Sequence, residues 1–363
     1  MDIQENILLS EHTTFHIGGL AKYFCEAKTT DELNEALKFA EQKSAQVLIM
    51  GGGSNVLVSD KGFDGLVIKL VNEGIEQEDI SDSQVRLTIG SGQNWDSVVA
   101  FAVEHGLWGI ENLSHIPGNT GALTVQNVGA YGQEASQVVE SVLVFDRQTH
   151  DTKIISRDEC EFGYRKSIFN TSEKNRYVIL HTNLVLSKVP NPNLSYGDLK
   201  IKFADRDPQT ITLAEIRSAI IEIRNTKFPF PDAPERGNAG SFFRGPILSD
   251  SEFADMQKKV LDLFGTEQAQ RLEAMADRLK VPQGYKTPTA FLLDVCGFKG
   301  LEVGGAQINP AQPAIILNKT GKASAEDVIT LYNQVKAGVL AKTGVELEHE
   351  PEFVGFEGRL NVV

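Results

Sequence analysis

At 363 residues the chain is long for one hydrophobic core, so two or three domains are expected. A formal net charge of −14 argues against nucleic acid or an anionic membrane as partner, and no stretch nears the roughly 20 apolar residues of a membrane span. Three widely spaced cysteines, Cys25, Cys160 and Cys296, form no metal-ligand pair; beside a start, "MDIQENILLSEHTTF", without a signal-peptide pattern, they predict reduced thiols in the cytoplasm and no bound metal.

In chain order, "TTDELNEALKFAEQKS" places Leu33, Ala36, Leu37 and Ala40 at helical spacing, with Thr29 and Glu32 as a capping box. "QVLIM" reads as a buried strand running into the glycine turn "GGGSN", and "GLVIKL" as another strand. The strands "VRLTIGSG", "SVLVFD" and "HTNLVLSKV" follow, with one helix, "NWDSVVAFAVEHG", ended by Gly106. From about residue 215 helices dominate. "LAEIRSAIIEIRN" leads into the proline-rich "KFPFPDAPERGN", a hinge or boundary. "TPTAFLLDVCG" and "SAEDVITLYNQVKAGVLAKTG" are amphipathic, and the second opens with a Ser324–Asp327 capping box. The pattern is α+β in three parts, 1–70, 71–215 and 216–344.

Two glycine clusters stand out. The first holds Gly51, Gly52, Gly53, Ser54 and Asn55. The second runs through Pro117, Gly118, Asn119, Thr120 and Gly121 to Gly129, Ala130, Tyr131 and Gly132. Glycine permits positive φ and removes the side chain, so successive amides can converge on one anion, with Ser, Asn and Thr side chains as further donors. Two such clusters suit a pyrophosphate; neither is a Rossmann GxGxxG or a Walker loop. A third stretch, "GNAGSFFRGP", sets Ser241 between Gly240 and two phenylalanines that could keep water from its hydroxyl. From these residues alone Ser241 is either a satisfied polar group or a proton source in a dry cavity.

"GGGSNVLV", "IPGNTGALTVQNVGAYGQE", "CEFGYRKSIF", "SYGDL", "GNAGSFF" and "LEHEPEFVG" occur in this order, and together they resemble the UDP-N-acetylenolpyruvoylglucosamine reductase family. "SYGDL" resembles the mark of the longer subtype, with a tyrosine loop over the substrate. The resemblance implies an α+β fold. A vanillyl-alcohol-oxidase-type FAD platform of two subdomains would be followed by a substrate-binding domain, and a last strand, about 345–363, would return to 71–215. It implies non-covalent FAD, since covalent relatives often carry histidine where Ser54 stands. NADPH would be the reductant and UDP-N-acetylglucosamine enolpyruvate the substrate, handled by a monomer in the cytoplasm.

The implied chemistry sends a hydride to the enolpyruvyl methylene carbon and a proton to its neighbour. Arg165 in "GYRKSIF" resembles the family's carboxylate-binding arginine, Glu350 the glutamate on the other side of that carboxylate, and Ser241 the proton donor. Read without the resemblance, Arg165 is a surface ion-pair residue and Glu350 part of a solvated acidic run. Tyr164, Tyr196, Lys227, Lys299 and Gln312 resemble substrate contacts, and Arg224 a flavin contact. Gly245 departs from the pattern, because many relatives have asparagine there. Two other readings remain open at this point: a flavin oxidase on the same platform, or a non-enzymatic binding module.

Overall fold

The structure, a computed structural model, describes residues 1–227 and 229–356. The chain divides into two compact units. The first comprises Met1–Ile7, Ala21–Gly53 and Asp64–Thr226; the second comprises Leu8–Leu20, Ser54–Phe63 and the chain from Lys227 onward.

In the first unit the helix Thr30–Lys43 forms where the spacing predicts it. The Thr29 hydroxyl accepts from the Glu32 amide, and the Glu32 carboxylate accepts from the Thr29 amide. Its buried face, Leu33, Ala36, Leu37 and Ala40, packs on Leu66, Ile68 and Leu70. Each fully buried leucine contributes about 1.5–3 kcal/mol. The sheet beneath has the order Gln4–Leu8, Leu20–Ala27, Phe63–Leu70, Gln46–Met50, with the last two parallel. Gln46–Met50 is therefore an edge strand, and only Met50 is fully buried. This corrects the expectation of a strand buried throughout: an edge position leaves Val47–Ile49 half-covered.

A second sheet of the same unit is antiparallel, in the order Thr152–Ser156, Val139–Asp146, Tyr177–Ser187, Gln84–Gly90, Ile75–Asp79. Side chains alternate between its faces. Phe145, Val178 and Leu180 join the core of the first sheet, while Val142, Val144, Leu87 and Ile89 pack on Trp95, Val98 and Val99 of the helix Trp95–Glu104. Residues 1–70 and 71–215 thus each build one sheet of a single unit, apart from the segments 8–20 and 54–63.

Those two segments belong elsewhere because their apolar side chains do. Phe15, Ile17 and Leu57 are buried with Phe242, Phe243, Met256, Val260, Leu292, Val328 and Leu331 in the core of the second unit. Its helix Ala325–Thr343 is capped by Ser324 with Asp327 and stopped by Gly344 at φ +76°. The helices Asp250–Phe264 and Thr266–Glu273 are not assigned by the periodicity, yet the first carries a readable capping box, Ser249 with Glu252. Near the end of the chain, Glu348–His349 pairs with Phe243–Arg244, and Glu352–Val354 runs parallel to Val56–Val58. The last strands therefore join partners in the second unit instead of returning to 71–215, since Leu347 and Val354 are buried there. Positions 357–363 of the expected strand lie outside the described residues. No helix among the described residues is long and apolar enough to cross a membrane.

Candidate active site

In the first unit the strand Gln46–Met50 delivers one glycine cluster against the other. A Cβ on Gly52 would stand 3.0 Å from Gly118 Cα and 2.9 Å from Asn119 Oδ1, and one on Gly51 would stand 3.4 Å from Ala122 Cβ. Close backbone approach is what requires glycine here. Gly118, at φ +122°, gives its carbonyl to the Trp95 amide at 3.0 Å. Two donors read as anion ligands are already used: the Thr120 and Gly121 amides donate to the carbonyls of Gln93 and Ser91 at 3.0 and 3.1 Å. Gly121 serves packing instead, because a Cβ there would lie 2.7 Å from Ser91 Cβ. The amides of Gly52 and Gly53 make no hydrogen bond among the described residues. Ser91 Oγ and His181 Nδ1 are buried without a hydrogen-bond partner among the described residues. Such a donor-rich, side-chain-free stretch fits the pyrophosphate of a flavin dinucleotide. The Gly52→Ala protein is expected to bind FAD at least about tenfold more weakly, because its methyl group meets the Gly118 backbone. Equilibrium dialysis against FAD checks this, and wild-type affinity would contradict it.

Gly129–Ala130 and Gln133–Glu134 form a small hairpin beside Arg165. Arg165 sits at φ +56° in the turn Gly163–Lys166, which Asn127 and Asn170 pin through the carbonyls of Gly163 and Arg165 at 2.8 and 3.1 Å. Its Nη2 donates to the Gly129 carbonyl at 3.0 Å, and the guanidinium lies 5.4 Å from the Tyr164 ring centre. A Cβ on Gly129 would crowd Glu134 Cγ at 2.8 Å. Next along the hairpin, the Tyr131 ring meets Tyr196 edge-on at 5.4 Å, and Arg224 hydrogen-bonds the Tyr131 hydroxyl. Burial pushes the Tyr131 phenol up to about 12 and brings Arg224 down to about 10. Gly129, Tyr131, Arg165, Tyr196 and Arg224 thus form one continuous contact set.

Sequence reasoning missed the network that holds this set. Glu111 and Asn112 are fully buried. The Glu111 carboxylate accepts from the Gly109 amide at 2.7 Å and from Gln133 Nε2 at 2.9 Å, and burial raises its pKa. Gln133 Oε1 accepts from the Asn112 amide at 2.8 Å. Asn112 Nδ2 then donates to the carbonyls of Tyr131 and Asn193, both at 2.8 Å. The Tyr131 turn and the segment leading to Tyr196 are therefore tied to one side chain. The available signal was a polar Glu–Asn pair inside the apolar run "LWGIENL". Asn112→Ala would strand two carbonyls, so a stability loss of roughly 2–5 kcal/mol is expected. Faster proteolysis between 189 and 197 should accompany it. An unchanged Tm would contradict this.

In the second unit, Gly240 at φ +69° turns the chain into Ser241. The Phe242 amide donates to the Ala314 carbonyl at 2.7 Å, and the Glu350 amide donates to the Phe242 carbonyl at 2.9 Å. Because Phe243 also pairs with His349, Ser241 and Glu350 come to the same end of one short ladder. Asn55 joins them, its Nδ2 donating to the Glu350 carbonyl at 3.4 Å, with Ser54 just before it. One expectation needs correcting. Phe242 and Phe243 are 0% and 2% exposed in the core, whereas Ser241 is exposed, so the rings back the segment instead of screening the hydroxyl.

Gln312 lies in the turn Asn309–Ile315, whose Ala314 carbonyl anchors Phe242. Asn309 Nδ2 donates to the Lys227 carbonyl at 3.1 Å, and Gly300, beside Lys299, donates to Ile308 at 3.0 Å. Lys299 Nζ itself is ion-paired with Asp294 at 3.0 Å. At Gly245, a Cβ would overlap the Thr287 side chain, which therefore fills the space an asparagine would need. Of the three residues expected to be catalytic, Arg165 belongs to the first unit and Ser241 and Glu350 to the second. No group of three His, Cys, Asp or Glu suited to a metal occurs among the described residues.

Two apposed glycine turns on an α+β unit, ahead of a second α+β unit, suit an enzyme that binds a dinucleotide cofactor. A family model described as "FAD binding domain" matches residues 21–150, and one described as "UDP-N-acetylenolpyruvoylglucosamine reductase, C-terminal domain" matches 232–354. The chain is 36% identical over 355 residues to the UDP-N-acetylenolpyruvoylglucosamine reductase of Thermobifida fusca, covering 96% of this chain and 97% of the other. It is 37% identical over 348 residues to that of Neisseria gonorrhoeae, covering 95% and 96%. The crystal structure of UDP-N-acetylenolpyruvylglucosamine reductase from Thermus caldophilus shares the fold with a TM-score of 0.65 at 24% identity, over 98% of this chain and 99% of that one. The chain belongs to the UDP-N-acetylenolpyruvoylglucosamine reductase family, FAD-dependent oxidoreductases of peptidoglycan synthesis.

Proposed function

We propose that the chain reduces UDP-N-acetylglucosamine enolpyruvate to UDP-N-acetylmuramate with NADPH, as a cytoplasmic monomer holding FAD non-covalently. Gly51, Gly52, Gly53, Ser54 and Asn55, with Pro117–Gly121, Gly129–Tyr131 and Arg224, would hold the flavin. When bound, it would supply the redox chemistry that carries a hydride from NADPH to the substrate's methylene carbon. Arg165 binds the enolpyruvyl carboxylate, its planar fork matching the two oxygens. As negative charge grows on that group as an enediolate, Arg165 stabilises it, with Glu350 on the other side of the carboxylate. Ser241 then gives its hydroxyl proton to the adjacent carbon, completing the lactyl ether. Tyr164, Tyr196, Lys227, Lys299 and Gln312 orient the nucleotide sugar.

The observation that best supports this reading is the ladder that brings Ser241 and Glu350 to the same end, since the proton donor must act beside the groups that flank the substrate carboxylate. Purified protein is expected to be yellow and to release free FAD on denaturation. Without oxygen, NADPH alone should bleach the flavin, and the enolpyruvyl nucleotide sugar should restore its colour. UDP-N-acetylglucosamine should not. Equal restoration by UDP-N-acetylglucosamine would overturn the assignment.

A further inference from the structure

Away from every residue assigned above, the first unit holds a cavity of about 470 Å³, within the range of small-molecule sites. Leu37, Ala45 and Val47 form an apolar wall; Arg147, Lys174 and Arg176 face it. Gln46 and Val47 begin the strand that ends at Met50, so the cavity lies at the opposite end of that strand from the glycine turn.

The basic side chains are not equally answered. Arg176 is held by Asp146 at 2.9 Å and Glu173 at 3.1 Å. The lining carboxylate, Glu41, stands 3.6 Å from His150 Nε2. Arg147 makes no ion pair among the described residues; its Nη1 donates to the Asn175 carbonyl at 2.8 Å. Burial lowers its basicity with no acidic group to offset the loss. A half-buried guanidinium without a counter-charge is costly unless an anion joins it. Two residues shaping the rim, His150 and Asn175, adopt left-handed backbone at φ +60° and +68°, a strain that clusters at ligand clamps.

We propose that this cavity binds a small phosphate-bearing molecule of nucleotide size, with Arg147 on the phosphate and the Leu37–Val47 wall against an apolar body. The planar fork of Arg147, with no acid against it among the described residues, suits a phosphate. The site is independent of the reaction proposed above.

Calorimetric titration of the FAD-loaded protein with AMP and with inorganic phosphate tests the proposal. AMP should bind saturably at one site, more tightly than phosphate. Arg147→Gln should weaken AMP by at least about tenfold, the loss of a charge-assisted contact, and leave turnover unchanged. Lys174→Gln, on an exposed loop, should weaken AMP as well and serves if the first variant folds poorly. Absence of AMP binding, equal affinity for phosphate, or unaltered binding in both variants would each overturn it.

Discussion

Ser241→Ala is expected to bleach with NADPH at the wild-type rate but to recover its flavin colour with substrate about a hundredfold or more slowly, the scale of a positioned proton donor. The split follows from what the side chain touches. Ser241 is exposed, and its neighbours hold the segment by backbone bonds, Phe242 to Ala314 and Glu350 to Phe242. Removing one hydroxyl disturbs none of these, so stability should change by no more than about 0.5 kcal/mol, the usual range for a surface change. Ser241→Cys keeps an acidic proton at the same place and should recover part of the rate. Rapid-mixing absorbance measures both half-reactions; an equal slowing of the two would point to a structural effect, and an unaltered second step would remove Ser241 from the chemistry.

The second large effect is expected at Arg165. Arg165→Met keeps a stem to lie over Tyr164 and accepts the same backbone, but it loses the charge and the bond to Gly129. Losing one preorganised donor to a developing oxyanion costs about 10²–10³ in rate. The kcat/KM for the enolpyruvyl substrate should therefore fall by about that factor, while reduction by NADPH persists. Arg165→Lys should recover only part, because a point charge cannot match two carboxylate oxygens at once. A loss in kcat/KM below about threefold, measured in steady state, would contradict the carboxylate clamp.

Much of this was readable in local sequence. The helices Thr30–Lys43 and Ala325–Thr343 are announced by capping boxes and apolar spacing, both decided within a few residues. The grouping of units was not, because Phe15, Ile17 and Leu57 are claimed by a core built from the other end of the chain. Gly52 and Gly121 look alike in sequence. Only contacts show that one approaches the partner turn and the other makes room for Ser91. The phenylalanines after Ser241 do not screen its hydroxyl for a related reason: both rings are claimed by the core, which only the tertiary packing shows. The Glu111–Gln133–Asn112 network has no motif at all, since its partners meet only through buried hydrogen bonds.

Crystallography of the FAD-loaded protein with the enolpyruvyl nucleotide sugar bound tests the central claim most directly. Arg165 should hold the substrate carboxylate, Glu350 should flank it, and Ser241 Oγ should lie about 3–3.5 Å from the carbon to be protonated. Density placing the enolpyruvyl group away from Ser241, or its carboxylate on other residues, would contradict it.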